Sequence, residues 1–502
     1  MKNKKVLFAV IAAAVVLVGI MLLLIFLPKG EKKDEEAASV DEAQISVSTD
    51  SKGYHQAAVQ RNSSGEVEQN GSGKLIEYYP AQISQIHLEN KKGTVDVLSN
   101  TPEGQATVYT VKGYEKFNLQ GGIPDQIASA AAAVSFSQVA GKDDGKNSAD
   151  YGFDAPRAVA TVTYIDNTKA VITVGNNAPQ EAGTYVKFGD GEDIYLADEE
   201  TMAAFDFGLT DLISLTINDA ASDTETSQPK SVEINGANFS ETIELVPNNS
   251  EKVSASYKMT APIECYANEK ESSLITGGIR GLFADSVVYV NPSEEQLSSA
   301  GLSEPYAHVK AAYSDATVEL LASKPNGEGT VNLMVSGGNV VYTIKAEKVS
   351  WVNTSYEKLI SEYALNPKMT ALSNMTVTYG GKEYSFDLSS KTVLTTDDQG
   401  SETESTTTVV YYNGNEIQTE KFSPLYDDAG LIELADAKTE TPSGSPEMKI
   451  TYTYSDDNST DTLEFYPSAD SRYLAVLNGR AEGHSRKSDI TRVVGALNDI
   501  LN

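Results

Sequence analysis

The sequence predicts an α+β fold in which three related, sheet-rich modules of hairpins and meanders, each with one or two short helices, follow an N-terminal transmembrane helix. Three observations support this prediction. One pattern of proline, tyrosine and aspartate occurs three times along the 502 residues. Apolar and polar residues alternate between turn residues, and 26 tyrosines with many valines and threonines favour strands. A long apolar run lies close to the N-terminus.

The repeated pattern is a proline, seven intervening residues, a tyrosine, one residue and an aspartate. Its copies start 149 and 141 residues apart, which is the size of a small domain rather than of a solenoid repeat. We therefore expect serial domains of one ancestry. The copies are Pro156/Tyr164/Asp166, Pro305/Tyr313/Asp315 and Pro446/Tyr454/Asp456.

The segment between each proline and tyrosine reads as a half-buried strand, because its apolar residues recur with a period of two. The aspartate then opens a turn into a second strand, so each copy predicts a hairpin. We expect the tyrosine to pack on the sheet with its hydroxyl in water, and all three repeated residues to be scaffold. The matching faces are Ala158, Ala160, Val162 and Tyr164; Ala307, Val309, Ala311 and Tyr313; and Met448, Ile450, Tyr452 and Tyr454.

Each module also contains a predicted amphipathic helix before its proline, and one more helix closes the chain after Ser488 as N-cap. Pro124 suits the first turn of the first helix. The four apolar stripes, which we expect to face the core, are Ile127, Ala130, Ala131 and Val134; Leu274, Ile275, Ile279, Leu282 and Phe283; Leu425, Ala429 and Ile432; and Ile490, Val493, Val494, Leu497 and Leu501.

Residues 6–27 form an apolar run that three lysines precede and Pro28 follows. At about 1.5 Å per residue the run is long enough to cross a bilayer core of about 30 Å. Residues 1–28 are therefore predicted to be a cytoplasmic tip and a single-pass anchor in the lipid bilayer, with the bulk of the chain extracytoplasmic. A cleavable signal peptide is the alternative, although its apolar core would be shorter.

Residues 29–75 are polar and contain few large apolar side chains, so we expect a disordered stalk. Beyond it the expected boundaries are module 1 at 76–220, module 2 at 228–368 and module 3 at 369–502. The net charge of −32 argues against a nucleic-acid partner, whose phosphates would be repelled.

A family resemblance follows from the first module. The turn at 151–157, Tyr-Gly-Phe-Asp-Ala-Pro-Arg, is followed by a hairpin, by Gly175 and Pro179, and by Tyr-Val and Ile-Tyr-Leu segments. Over about residues 80–220 this arrangement resembles the domain-of-unknown-function 4340 family. Weaker repeats of the same arrangement follow in the rest of the chain. The resemblance implies a bacterial, membrane-anchored, extracytoplasmic protein, and it implies an ABC-type transporter permease and ATPase, related to gliding-motility systems, as partners. It supplies no catalytic or ligand residues.

No catalytic, cofactor-binding or metal site is predicted. The four histidines, His55, His87, His308 and His484, are too scattered for zinc, and the single Cys265 is either a buried apolar residue or a free thiol. Ser485 beside His484 reads as a solvated loop rather than part of a triad. The acidic groups at 143–145, 397–400 and 456–461 could offer oxygen ligands to calcium, but turns need the same residue types.

The sequence thus favours a non-enzymatic binding or assembly protein, an accessory subunit of an ABC-type transport system. A cell-surface module that binds polysaccharide or protein is the first alternative. An envelope hydrolase is the second, since paired carboxylates cannot be recognised without geometry.

Overall fold

A computed structural model describes residues 42–396, 402–436 and 440–501. The predicted anchor at 6–27 and the first part of the predicted stalk lie outside these residues. Within the described part of the chain, no helix has the length and apolarity needed to cross a membrane. The chain divides into two compact units, of which the first ends at Leu209 and the second begins at Thr210.

The fold is a sheet-rich α+β architecture, as predicted. A small hairpin consists of β1 (Ile45–Thr49) and β2 (His55–Val59). Three nine-stranded sheets follow, and all their neighbouring strands are antiparallel. The first sheet contains β3 (Gly73–Glu77), β4 (Ile83–Asn90), β5 (Gly93–Asn100), β6 (Val108–Val111), β7 (Ala133–Lys142), β8 (Ala158–Tyr164), β9 (Lys169–Asn177), β10 (Thr184–Phe188) and β11 (Asp193–Ala197).

The second and third sheets both belong to the second compact unit. The second contains β12 (Ser231–Asn235), β13 (Ile243–Pro247), β14 (Tyr257–Ala261), β15 (Cys265–Tyr266), β16 (Ser286–Val290), β17 (Ala307–Ala312), β18 (Thr317–Ala322), β19 (Thr330–Val335) and β20 (Val340–Lys345). The third contains β21 (Leu372–Tyr379), β22 (Lys382–Thr396), β23 (Glu402–Tyr412), β24 (Asn415–Ile417), β25 (Leu434–Asp436), β26 (Met448–Tyr454), β27 (Thr460–Pro467), β28 (Arg472–Leu477) and β29 (Arg480–Arg486).

The α-helices are short, apart from three that lie in equivalent places and one at the end of the chain. They are α1 (Ile123–Ala132), α2 (Ser148–Tyr151), α3 (Glu199–Ala203), α4 (Leu209–Leu212), α5 (Thr224–Ser227), α6 (Glu269–Gly277), α7 (Glu294–Ser299), α8 (Tyr356–Leu359), α9 (Thr419–Gly430) and α10 (Lys487–Leu501).

The three large sheets share one strand order. Each has a first meander, then a helix (α1, α6 or α9), then a lone strand (β7, β16 or β25), then a second meander of four strands. The first strands of the two meanders are central neighbours, as in β4–β8, β12–β17 and β21–β26. The lone strand pairs with the last strand of the second meander, and β3 lies outside it in the first sheet alone.

The strands predicted from the repeated pattern are the first strands of the second meanders, β8, β17 and β26, and each forms the predicted hairpin with its successor. All twelve residues of the predicted inward faces are buried, because alternate side chains of a strand share one face. In this respect the sequence prediction is confirmed.

The helix predictions are correct in place but too long. Helix α1 ends at Ala132, so Val134 is buried on β7 instead. Helix α6 ends at Gly277, and Leu274 and Phe283 of its predicted stripe are exposed. Ile432 likewise follows the end of α9.

The last helix begins one residue before Ser488, which is therefore inside the first turn and not its N-cap. Ile490, Val493 and Leu497 are buried as predicted, but Leu501 is exposed.

The prediction of a disordered stalk is wrong for its described residues. Strands β1 and β2 pair over five residues, and Ala57 and Val59 are buried. The amide of Val59 donates to Asp193, and the Arg61 guanidinium pairs with the same carboxylate. Polar contacts to the first sheet thus order a segment that has too few apolar residues to fold by itself.

Candidate functional site

The three repeated tyrosines are buried, with exposed fractions of 0%, 6% and 1% for Tyr164, Tyr313 and Tyr454. Their hydroxyls are therefore not in water, contrary to the prediction. The Tyr164 hydroxyl donates to the carbonyl of Ala131 at 3.1 Å, and that of Tyr454 donates to Asp461 at 2.7 Å. The Tyr313 hydroxyl has no hydrogen-bond partner among the described residues. Burial raises the pKa of Tyr313 to about 12.

A basic side chain lies beside each repeated tyrosine and aspartate. In the second sheet the Arg280 guanidinium is 5.0 Å from the centre of the Tyr313 ring. It also donates to both carboxylate oxygens of Asp315, at 2.7 and 2.8 Å. This bidentate pair holds the pKa of Asp315 below its usual value.

In the third sheet the equivalent cation is Lys252, from the loop between β13 and β14. Its Nζ is 4.9 Å from the centre of the Tyr454 ring and 2.6 Å from Asp457 Oδ2. Asp456 Oδ1 is 3.7 Å away. The hydrogen bond to Lys252 lowers the pKa of Asp457. Since the loop belongs to the second sheet, this contact joins the second sheet to the third.

In the first sheet the equivalent position is taken by His55 of the N-terminal hairpin. Its ring meets that of Tyr164 edge-on at 6.0 Å, and its Nε2 is 3.0 Å from Thr168 Oγ1. Burial lowers the pKa of His55, and the negative charge of Asp166 opposes that change. In each sheet the repeated Tyr and Asp are thus engaged by a basic side chain that the repeat itself does not contain.

A cavity of about 520 Å³ lies between the second and third sheets, inside the second compact unit. Its walls come from the segments 253–258, 264–269, 360–366 and 477–482, together with Leu434. The volume is within the range of small-molecule sites, about 300–1,000 Å³. A smaller cavity of about 330 Å³ shares the wall residues 253–255.

The segment that connects the two sheets forms one wall of the larger cavity by pairing with both. The amide of Ser361 donates to the carbonyl of Tyr266, on the second sheet's edge strand. The carbonyl of Glu362 accepts from the amide of Leu434, on the third sheet's edge strand. Backbone hydrogen bonds therefore hold the two sheet edges apart at a fixed spacing, and the cavity is the space between them.

The cavity walls carry four carboxylates and two cations. Arg480 donates to Glu482 at 2.8 Å and also to the carbonyl of Glu264. The Lys258 ammonium is 4.9 Å from the centre of the Tyr266 ring. Both cations are thus already engaged with protein groups. The other carboxylates of the walls are Glu264, Glu269 and Glu362.

Cys265 lies in the same wall as a free, partly buried thiol. Burial raises its pKa to about 11, with a further contribution from the negative charge of Glu482, while Arg480 opposes the change. Of the two sequence interpretations of this residue, the free thiol is the one that the structure contains. Its position makes it a reporter for the cavity.

The other polar residues singled out in the sequence do not meet at one place. His87 contacts Asp96, His308 contacts Glu319 and Asn235, and His484 contacts Glu440. No group of three or more metal-binding side chains suits a metal ion within the described ranges. The acidic group at 397–400 lies outside those ranges.

The two acidic groups that the structure describes serve as turns and ion pairs. Asp143 accepts from the amide of Gly145 and pairs with Lys187 at 2.7 Å, which lowers its pKa to about 2. Asp457 accepts from the amide of Ser459. Turn formation therefore accounts for these residues without an added ion.

The prediction of a solvated loop at Ser485 is wrong. Ser485 and His484 lie in β29, and Ser485 is fully buried. Successive side chains of a strand point to opposite faces, so these two neighbours cannot act on one substrate.

The described fold and cavity define a class: an α+β protein of repeated antiparallel sheets with a cavity of small-ligand size. Residues 110–288 match the family model described as Domain of unknown function (DUF4340). This match confirms the family resemblance, although it begins and ends later than the predicted 80–220. It runs from β6 to β16, through the second meander of the first sheet and the first meander of the second. No curated protein and no solved structure matches the chain.

Proposed function

We propose that this chain is a single-pass membrane protein whose extracytoplasmic body binds a ligand in the cavity between the second and third sheets. The evidence for ligand binding is the cavity itself. Its volume of about 520 Å³ suits a small ligand, and tyrosine, amide and charged side chains occur together in its walls. The apolar run at 6–27, with Pro28 after it, supports the anchor.

The family resemblance extends the proposal to a partner. The binding protein serves as an accessory subunit of an ABC-type transport system, in which a membrane anchor would keep it beside the permease. The role is non-enzymatic. The Glu269 carboxylate already accepts two hydrogen bonds from Ser256, and Glu482 is paired with Arg480, so both are committed to holding the walls.

A cell-surface module that binds envelope polysaccharide, without a transporter, is the second candidate. The walls favour it because Tyr363 offers a ring face, while the Asn366 amide offers both a donor and an acceptor to hydroxyl groups.

Purification from mild-detergent membranes, with mass spectrometry of the proteins recovered, tests the partner. Near-stoichiometric recovery of a permease and an ATPase supports the accessory subunit. Recovery of the chain alone, from membranes that contain such a permease, rejects the accessory-subunit role. The surface module that binds polysaccharide is then the remaining candidate.

The location is tested with Cys265, the only cysteine of the chain. A membrane-impermeant maleimide applied to intact cells at pH 8.5 should label this residue, because the thiol lines an open cavity of the extracytoplasmic body. Labelling that occurs only after the cells are lysed would place the body in the cytoplasm.

The cavity itself is tested by filling it. Ser254 is exposed in the wall, so Ser254→Trp should place an indole in the cavity without disturbing the core. Ser299→Trp, at the exposed end of α7 and away from the cavity, is the matched control. Ligand that co-purifies with the wild type and the control, but not with Ser254→Trp, locates the binding site. Equal retention by all three proteins excludes the cavity.

A further inference from the structure

We infer that the ligand of the cavity is an amino sugar, that is, a polyhydroxylated chain with free ammonium groups. This inference rests on the proposed binding function and assigns a chemical class to its ligand. Three properties of the walls support it: the balance of charge, the aromatic faces and the side-chain amides.

The charge balance favours a cation. Four wall residues are carboxylates and two are cations, so the formal charge of the walls is negative. Arg480 is neutralised by Glu482, whose side chain is 12% exposed, and Lys258 is held at the ring of Tyr266. The Lys258 ammonium keeps its charge in that contact, but Glu264, Glu269 and Glu362 still leave the walls with more negative than positive charge. An ammonium group on the ligand would therefore be attracted, and an anionic group would be repelled overall.

The surplus includes two exposed carboxylates from different wall segments. Glu264 precedes β15 on the side of the second sheet, and Glu362 lies on the connecting segment. The net charge of −32 adds a long-range attraction for cations at low ionic strength. Ligand affinity should therefore fall as salt is added.

The aromatic faces also suit an ammonium group. The contact between Lys258 and Tyr266 shows that an ammonium is accommodated against a tyrosine ring of this cavity. Tyr363 supplies a second ring in the walls. Tyrosine rings also stack on the apolar face of a sugar, so Tyr363 suits both parts of an amino sugar, whereas Lys258 already lies over the ring of Tyr266.

The amides distinguish a polyhydroxylated amine from a basic peptide. The Asn366 amide presents an acceptor and a donor group, the amide nitrogen of Asn268 presents a donor, and Ser254 adds a hydroxyl. The Asn268 oxygen already caps α6, and the Asn478 amide already bonds to Asp461 and to the amide of Thr462. Ring hydroxyls also both donate and accept, whereas lysine side chains only donate. A volume of about 520 Å³ is large enough for two or three sugar rings.

The test uses the intact protein in mild detergent and three probes: a trimer of glucosamine, a trimer of N-acetylglucosamine and trilysine. Calorimetry measures their affinity, and protection of Cys265 from alkylation shows whether they occupy the cavity. We expect the glucosamine trimer to bind and to protect Cys265, and the other two to bind at least tenfold more weakly.

The variants Glu264→Gln and Glu362→Gln should each weaken binding of the glucosamine trimer roughly two- to fivefold, the effect of one exposed charge pair. Glu328→Gln, an exposed glutamate of the second unit that is not part of the walls, is the control and should bind as the wild type does. A circular-dichroism spectrum and melting temperature equal to those of the wild type establish that each variant is folded.

The alternatives are separable. Equal binding of the N-acetylated trimer, with protection of Cys265, overturns the ammonium requirement and leaves the binding cavity in place. If trilysine binds as tightly as the glucosamine trimer, the ligand need not be a sugar, and that part of the inference is overturned. Failure of all three probes overturns the amino-sugar inference, while retention of a co-purified ligand in the Ser254→Trp experiment still decides the proposed function independently.

Discussion

Lys252 reaches from the second sheet to the third, where its ammonium lies 4.9 Å from the centre of the Tyr454 ring and 2.6 Å from the Asp457 carboxylate. The loop that carries Lys252 also forms the wall shared by the two cavities. The contact therefore fixes both the spacing of two sheets and the shape of the candidate site. It uses the tyrosine and the turn that the threefold repeat supplies.

Replacement of Lys252 by methionine should lower the melting temperature of the second unit by a few degrees, because the ring contact and the ion pair are both lost. Lys252→Arg should retain most of the stability. Thermal unfolding followed by circular dichroism is the measurement, with the exposed Lys345→Met as control. An equal loss in Lys345→Met would show that the effect is not specific to the contact.

The acid dependence of the same variant supplies a second readout. The folded-state pKa of Asp457 is lowered, so the ion pair stabilises the protein above the ordinary carboxylate pKa of about 3.9 and loses that effect as the pH falls. The stability difference between wild type and Lys252→Met should therefore shrink in acid. A difference that stays constant from pH 7 to pH 2 would contradict the assignment.

The hydroxyls of two equivalent tyrosines should contribute unequally. Tyr454→Phe removes a buried hydrogen bond to Asp461 and should cost about 1–2 kcal/mol in the free energy of unfolding. Tyr313→Phe removes a buried hydroxyl that has no partner among the described residues, and should be neutral or stabilising. Urea denaturation of both variants measures the contrast. Equal costs would mean that the Tyr313 hydroxyl is hydrogen-bonded in solution.

In the first unit, Asp143→Asn should destabilise the protein in a pH-dependent way. The Asp143 side chain is 8% exposed and pairs with Lys187, which gives it a pKa of about 2. Because this pKa is lowered on folding, the charged form stabilises the fold above about pH 4, and the effect is lost as the pH falls through about 2. We expect the variant to lose about 1 kcal/mol at pH 7 and much less at pH 2. Denaturant titrations at the two pH values test this.

Cys265 should react slowly with iodoacetamide. Its pKa of about 11 leaves little thiolate at pH 8, so the rate should rise about tenfold per pH unit until the pH approaches that value. Glu482→Gln removes a negative charge that raises this pKa and should accelerate the reaction, whereas Arg480→Gln should slow it. Alkylation rates of the wild type and both variants, measured by mass spectrometry between pH 7 and pH 10, test these expectations. Rates independent of pH would show that access, not ionisation, limits the reaction.

Much of the scaffold could be predicted from the sequence, because its signals are local. The inward faces of β8, β17 and β26 follow from a period of two, and the turns after them follow from the chemistry of aspartate and asparagine. Helix positions were predicted well and helix ends poorly. Val134 and Ile432 continue an apolar stripe but follow the end of their helix, and both are buried all the same.

The basic partners of the repeat could not be predicted. His55, Arg280 and Lys252 come from a hairpin, a segment after a helix and a loop, so no common spacing marks them. The ordered hairpin at β1 and β2 was missed for a similar reason. Its composition resembles a linker, and its order depends on contacts such as that of Val59 with Asp193, far along the chain.

The sequence by itself determined the threefold repeat, the sheet-rich class, the three hairpins with their inward faces and the family resemblance, since each depends on residues that are close together in the chain. Only the tertiary structure decided where the cavity lies and which charges line it. Its walls come from four separate segments, and their positions depend on backbone pairing between the connecting segment and two sheet edges. Pairing of this kind involves residues far apart in sequence and leaves no periodic pattern in it.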